Sequence, residues 1–168
     1  MKVFLIGFMG CGKSTMGRKL ARKLDYVFID LDHEVEGAAG MSVGDYFTAN
    51  GEDAFRQLES RTLKEFSYPV NCIVATGGGA PCFFDNMDWM NSNGLAIYIH
   101  MTPQALAKRL ENGKEKRPLL RGLDEAGMVA FITAKLAERS LFYNQASRTV
   151  EGVSLTTDTL IELLASQD

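Results

Sequence analysis

The chain has 168 residues, 46% of them hydrophobic and 23% charged, with a formal net charge of −3. This composition suits one globular domain with a core of ordinary size that needs no disulfides. It excludes the broad basic footprint of a nucleic-acid binder, and apolar runs of only four to six residues, such as VFLI and LAIYI, exclude a membrane-spanning helix of roughly 20 apolar residues.

In chain order, a short apolar strand is expected over 2–6, running into the glycine-rich stretch GFMGCGKSTMG. Met16, Leu20 and Leu24 then recur every four residues, with Arg18, Lys19, Arg22 and Lys23 between them, which predicts an amphipathic helix over 14–24. A second strand, YVFID, is expected over 26–30. Ser42 and Asp45 have the spacing of a capping box opening a short helix that Asn50-Gly51 closes. A longer helix follows over about 52–66, then a strand over 71–76 ending in TGGGAP, and a fourth strand over 95–100. Thr102-Pro103 supplies an N-cap and a first helical residue. Residues 113–123, GKEKRPLLRGL, carry charge and glycine but no period and are expected to be mobile. A helix from about Asp124 to Ala146, a weak strand over 148–151 and a last helix from about Asp158 complete the chain. The alternation of strands and helices, with strands that read as buried on both faces, predicts an α/β fold: a parallel sheet between two helical layers, in a single domain over 1–168.

Two further features bear on setting. Cys11, Cys72 and Cys82 are odd in number and lack C-x-x-C spacing, so free thiols are expected and a zinc site is not. The first strand follows Met1-Lys2 directly, leaving no room for a cleaved signal, so a cytoplasmic protein is expected.

Gly7, Gly12, Lys13 and Ser14 satisfy G-x-x-x-x-G-K-[ST] between a strand and a helix, the context in which this pattern cradles nucleotide phosphate. Glycines let successive N–H groups converge on phosphate oxygens, the helix dipole favours the anion, Lys13 adds a point charge and Ser14 offers a hydroxyl to Mg²⁺. Gly10, Cys11, Gly12, Lys13, Ser14 and Thr15 are therefore the phosphate-binding candidates. A glycine-rich turn without ligand is the duller alternative. Gly17 is assigned to close packing of helix on sheet.

The cradle by itself does not separate a switch GTPase, a motor and a small-molecule kinase. No N/T-K-x-D base-reading motif is found, and carboxylates instead close the second strand as Asp30 and Asp32. Two residues apart at a strand's carboxyl end, they can point the same way into the ligand crevice, one toward Mg²⁺ and one toward a substrate hydroxyl. A helix N-cap pair is the competing reading.

The stretches GFMGCGKST, FIDLD, GEDAFRQLE, ATGGGA, RPLL and ERSLFY resemble, in order along nearly the whole chain, those of the shikimate kinase family. That resemblance implies transfer of the γ-phosphate of ATP, with Mg²⁺, to the 3-hydroxyl of shikimate in aromatic amino-acid biosynthesis. It also implies a five-stranded parallel sheet of order 2-3-1-4-5 and a lid, here over about 113–123. By the same resemblance Arg56 and Arg139 bind the substrate carboxylate, Asp32 bonds the ring hydroxyls as base, and Gly77, Gly78 and Gly79 approach the substrate through backbone N–H groups. Ser14 and Asp30 fall on the Mg²⁺ side, Arg117 is the lid arginine and Arg109 packs against adenine. Read alone, Arg56 at helical spacing from Glu52 and Glu59 is a surface ion-pair partner, and Arg109 a solvated helix residue. The adenine-side loop within ASRTVEGVSLTTD is poorly matched. A gluconate-kinase-type enzyme and a non-catalytic ATP-binding regulator are the alternatives, and a monomer with small-molecule substrates, without nucleic acid or membrane, is expected.

Overall fold

In the computed structural model, which describes residues 1–166, strand β1 (Lys2–Ile6) lies at the centre of a five-stranded sheet. Its neighbours are β3 (Cys72–Ala75) and β4 (Leu95–His100), and the edges are β2 (Val27–Asp30) and β5 (Arg148–Glu151). The order is β2-β3-β1-β4-β5 and every pairing is parallel, as expected.

Period-two alternation along β1 builds two cores. Val3 and Leu5, in register with Ile73 of β3 and Ile97 of β4, pack with Leu20 of α1 (Lys13–Leu24), Leu106 of α5 (Pro103–Leu110), Ile132 of α6 (Glu125–Tyr143) and Leu160 of α7 (Thr157–Ala165). Phe4 and Ile6 face the other way, against Val35 of α2 (Leu31–Ala39), Leu58 and Leu63 of α3 (Val43–Glu65) and Met90 of α4 (Asn86–Asn93). All four β1 side chains are fully buried, each contributing about 1.5–3 kcal/mol of apolar burial. The central strand is thereby fixed in register, and its carboxyl end holds the cradle still.

Local signals placed several helices as expected. Ser42 Oγ accepts from Asp45 N–H at 3.1 Å and Thr102 Oγ1 from Ala105 N–H at 3.2 Å. Gly51, with φ 83° and ψ 174°, breaks the helical path inside α3 where a helix end was expected. The helix from Asp124 stops at Tyr143 rather than Ala146, since the chain must turn there to enter β5. Neither α2 nor α4 stands out in the sequence. α2 is short, with Leu31 and Val35 as its large apolar side chains, and α4, NMDWMNSN, is rich in asparagine, a poor helix former. α4 is secured by burying Asn86, Met87 and Met90. Among the described residues, no helix is long and apolar enough to cross a membrane, and all three cysteines are free.

Candidate active site

The carboxyl ends of β1, β2 and β3 deliver the cradle, Asp30 and the Gly77–Gly79 turn to one edge of the sheet, beside the point where connections from β1 and β4 diverge. In the cradle, Gly10 and Gly12 adopt φ of 82° and 98°, a left-handed backbone that other residues enter only with strain. A Cβ on Gly10 would also stand 2.8 Å from Leu110. Lys13 opens α1 and is buried, 8% exposed. Its ammonium donates to the carbonyls of Gly7 at 2.7 Å and Phe8 at 3.0 Å, and approaches Cys11 Sγ at 3.7 Å. No carboxylate pairs with it among the described residues. A buried cation held by two carbonyls and a thiol sulfur, with no carboxylate partner, at a helix N-terminus, is complementary to an incoming polyanion.

A cavity of about 620 Å³ opens over this loop, lined by Gly10 to Thr15 together with Arg109 and Arg117. Arg109 is exposed and donates to the Cys11 carbonyl at 3.3 Å. Arg117 reaches the wall from the 113–123 segment, where its guanidinium makes only a long contact, 3.4 Å, to the Gly113 carbonyl. Gly152, Val153 and Leu155, after β5, close the far side. They lie in the stretch whose match was too poor to name individual residues, and only the sheet order brings them across.

Asp30 and Asp32 line one cavity at the end of β2 but reach different neighbours. The strand ends at Asp30, which becomes the N-cap of α2 and accepts from the Asp32 N–H at 3.2 Å, so the helical rather than the strand period separates the two side chains. Asp30 turns toward α1, accepting from Ser14 Oγ at 3.2 Å with Arg18 at 3.9 Å. Asp32, in the first turn of α2, turns toward β3: a Cβ on Gly77 would stand 2.9 Å from its Oδ1. Asp30 is thus a helix cap that also faces Ser14. Asp32 keeps an open side to the cleft, yet protein crowds it from the others. Its carboxyl is raised above the usual range, first by desolvation and then by the Asp30 charge, with Lys13 and Arg56 opposing.

Arg56 and Arg139 meet at the glycine turn. Arg56 is only 12% exposed at its side chain and donates to Glu59 Oε1 at 2.8 Å, with Glu52 at 3.6 Å, so it is an ion-pair partner facing inward rather than on the surface. A Cβ on Gly79 would collide with its guanidinium at 2.5 Å, and one on Gly78 would stand 3.3 Å from Arg139. Arg139 also lies over the Phe8 ring, 5.4 Å to the centroid. The turn itself is held by the buried Tyr143 hydroxyl, which donates to the Gly78 carbonyl at 2.5 Å.

Glu59 is the pocket residue that sequence spacing understated. It is 1% exposed, its Oε2 would stand 3.1 Å from a Cβ on Gly77, and burial raises its carboxyl against the lowering influence of Arg56. The i+3 spacing from Arg56 signals the pair but not its burial. Cys82 is nearby and half-buried, with its thiol pushed up to about 11 by desolvation.

A cationic loop at a helix N-terminus, set beside a pocket of arginines and carboxylates at the carboxyl edge of a parallel sheet, is the architecture of a P-loop small-molecule kinase. Residues 9–166 match the family model for shikimate kinase. The chain is 43% identical over 157 residues to the shikimate kinase of Parabacteroides distasonis, covering 94% of this chain and 91% of that one. The crystal structure of the enzyme from Bacteroides thetaiotaomicron superposes with a TM-score of 0.92 at 39% identity, covering 98% of each chain. That of shikimate kinase from Acinetobacter baumannii in complex with shikimate does so at 0.84 and 29% identity, covering 99% of this chain and 94% of the other. The chain belongs to the shikimate kinase family: it is an enzyme, a kinase of the shikimate pathway.

Proposed function

We propose that the chain transfers the γ-phosphate of ATP to the 3-hydroxyl of shikimate, with the nucleotide phosphates over residues 10–15 and the acceptor between Asp32, Arg56, Arg139 and the Gly77–Gly79 turn. The observation that carries this reading is the convergence of Asp32, Glu59, Arg56 and Arg139 on three consecutive glycines beside the loop that buries Lys13. Small anionic polyols need a guanidinium fork for the carboxylate and acceptors for hydroxyls, and this pocket offers both.

The roles follow from the chemistry of each group. Lys13 stands ready to exchange carbonyl partners for phosphate oxygens. Asp32, with its raised carboxyl, is placed to orient the acceptor hydroxyl and take its proton, an aid worth about 10²–10⁴ in rate. Ser14 Oγ and the Asp30 carboxylate, 3.2 Å apart, are the hard oxygen donors that fit Mg²⁺, directly or through water. Bound there, Mg²⁺ would neutralise phosphate charge.

Arg117 is assigned to the developing charge on the transferred group, reaching it when the 113–123 segment closes and excludes water. Gly113 and Gly122, at φ 111° and 75°, bracket that segment. Leu120 is buried and anchors the segment, while Leu119 beside it is 63% exposed. Arg109 and Val153 are assigned to the two sides of the adenine. The same reading takes the chain as a single domain with an inserted lid, working as a cytoplasmic monomer. A coupled ADP-release assay with ATP, Mg²⁺ and a panel of hydroxy acids tests the reading. Release is expected with shikimate and not with gluconate, and gluconate-dependent release would overturn it.

A further inference from the structure

Phe83 has no role in the reading above, yet its ring lies 4.3 Å from the Arg56 guanidinium carbon, with the Phe55 ring at 5.1 Å. The edges of the same guanidinium meet Glu59 at 2.8 Å and Glu52 at 3.6 Å, while its buried Nε has no hydrogen-bond partner. Rings attract the faces of a guanidinium and carboxylates its edges. The ring of Phe83 therefore holds Arg56 without using up the donors that a ligand carboxylate needs.

The backbone is built to put it there. Phe84 adopts φ 52°, uncommon for a bulky residue, and leaves its own side chain 61% exposed, so the strain is not offset by burying Phe84. Both ends of the segment are pinned. Asn86 donates to the Ala80 carbonyl at 2.9 Å and accepts from Ser60 Oγ at 2.6 Å, and Lys64 pairs with Asp85. The bend sends Phe83 inward over Arg56.

We propose that Phe83 is a positioning residue: its ring fixes the plane in which Arg56 receives the acceptor's carboxylate, and so sets affinity for an anionic acceptor. Without the ring, only the more distant Phe55 face remains, and the pairs to Glu52 and Glu59, which compete with the substrate for the same edges, set the orientation of Arg56. The inference rests on the reading of Arg56 as carboxylate clamp.

The test compares Phe83→Leu, which keeps apolar bulk but removes the π face, with Phe83→Tyr, which keeps the face. Phe83→Leu is expected to raise the KM for shikimate on the order of tenfold, leaving kcat and the KM for ATP within about twofold. Phe83→Tyr is expected to match the parent. With shikimate methyl ester as acceptor the difference between the two variants should vanish. Equal shikimate KM values for the two variants, or an equal defect with the ester, would overturn the proposal and leave Phe83 a packing residue. Arg56→Lys separates the two layers: unchanged shikimate KM there means the clamp itself is misassigned, whereas a raised KM with a silent Phe83→Leu defeats the positioning role alone. Should Phe83→Leu fail to fold, Phe83→Met, an adaptable apolar side chain without a π face, takes its place with the same expected rise in shikimate KM, and a KM equal to that of Phe83→Tyr sinks the proposal.

Discussion

Gly79→Ala isolates the acceptor pocket with a single methyl group. Gly79 has φ −89° and ψ −15°, open to any residue, so alanine brings no backbone strain. Its Cβ would stand 2.5 and 2.6 Å from the two terminal nitrogens of Arg56 and 2.8 Å from Cζ. Non-bonded heavy atoms settle at about 3.5–4.0 Å, so the guanidinium must withdraw by about 1 Å. Arg56 is the end of a flexible side chain and can do so, giving up its Glu59 hydrogen bond and its stacking on Phe83. A hydrogen bond to a charged group contributes about 1.5–3 kcal/mol, so a misplaced fork should raise the KM for shikimate roughly 10- to 150-fold. The KM for ATP should hold, because the nucleotide cavity touches neither residue. Global stability should change by less than about 2 kcal/mol, since alanine also restricts the unfolded chain. The assay is coupled ADP release with each substrate varied in turn, alongside thermal unfolding. Gly37→Ala, with nothing within 4 Å of the added methyl, is the silent control. A folded Gly79→Ala enzyme with unaltered shikimate KM would refute the placement of the acceptor carboxylate at Arg56.

Three other outcomes are expected. Lys13→Ala should retain its fold, at a cost of about 1–3 kcal/mol for the Gly7 carbonyl left unpaired, the Phe8 carbonyl keeping the Cys11 N–H at 3.2 Å, while losing transfer and weakening ATP binding; full activity in the folded variant would remove the cradle assignment. Asp32→Asn should slow turnover by about 10²–10⁴ while making the protein more stable at neutral pH. Because folding raises the Asp32 carboxyl, the parent has this group's full stabilisation below the ordinary carboxylate range near pH ~4 and loses it as pH rises through the folded value. The melting-temperature gain of the variant should therefore grow as pH is raised from about 4 and vanish below it, and a variant less stable than the parent at neutral pH contradicts the crowding inferred around Asp32. ATP and shikimate together should protect residues 113–123 from proteolysis, and cleavage unchanged by ligands would count against a closing lid.

What the sequence determined by itself was whatever a few neighbouring residues can decide. The glycine and lysine spacing of residues 7–14, the caps at Ser42 and Thr102, the break at Gly51 and the short apolar strands all rest on hydrogen bonds or apolar runs local to the chain, and each appears close to where it was expected. The sheet order came with the family resemblance. Residue spacing alone does not tell which polar groups share a pocket: the family resemblance grouped Asp32, Arg56, Arg139 and the glycine turn, and tertiary structure adds Glu59. Arg56 looks like one more member of a charged helix face until the β3 turn, more than 20 residues away, covers it. Two adjacent phenylalanines are indistinguishable in sequence, and only the bend at Phe84, clamped by Asn86, sends one to the guanidinium and the other to solvent. Asp30 and Asp32 meet different neighbours because a helix, not a longer strand, follows β2, and the stretch after them carried too little apolar periodicity to announce it. Val153 reaches the nucleotide cavity because β5 pairs beside β4, bringing residues more than 130 positions from the cradle to its rim. Local propensity specifies elements; the packing of crossovers onto a parallel sheet specifies which side chains meet.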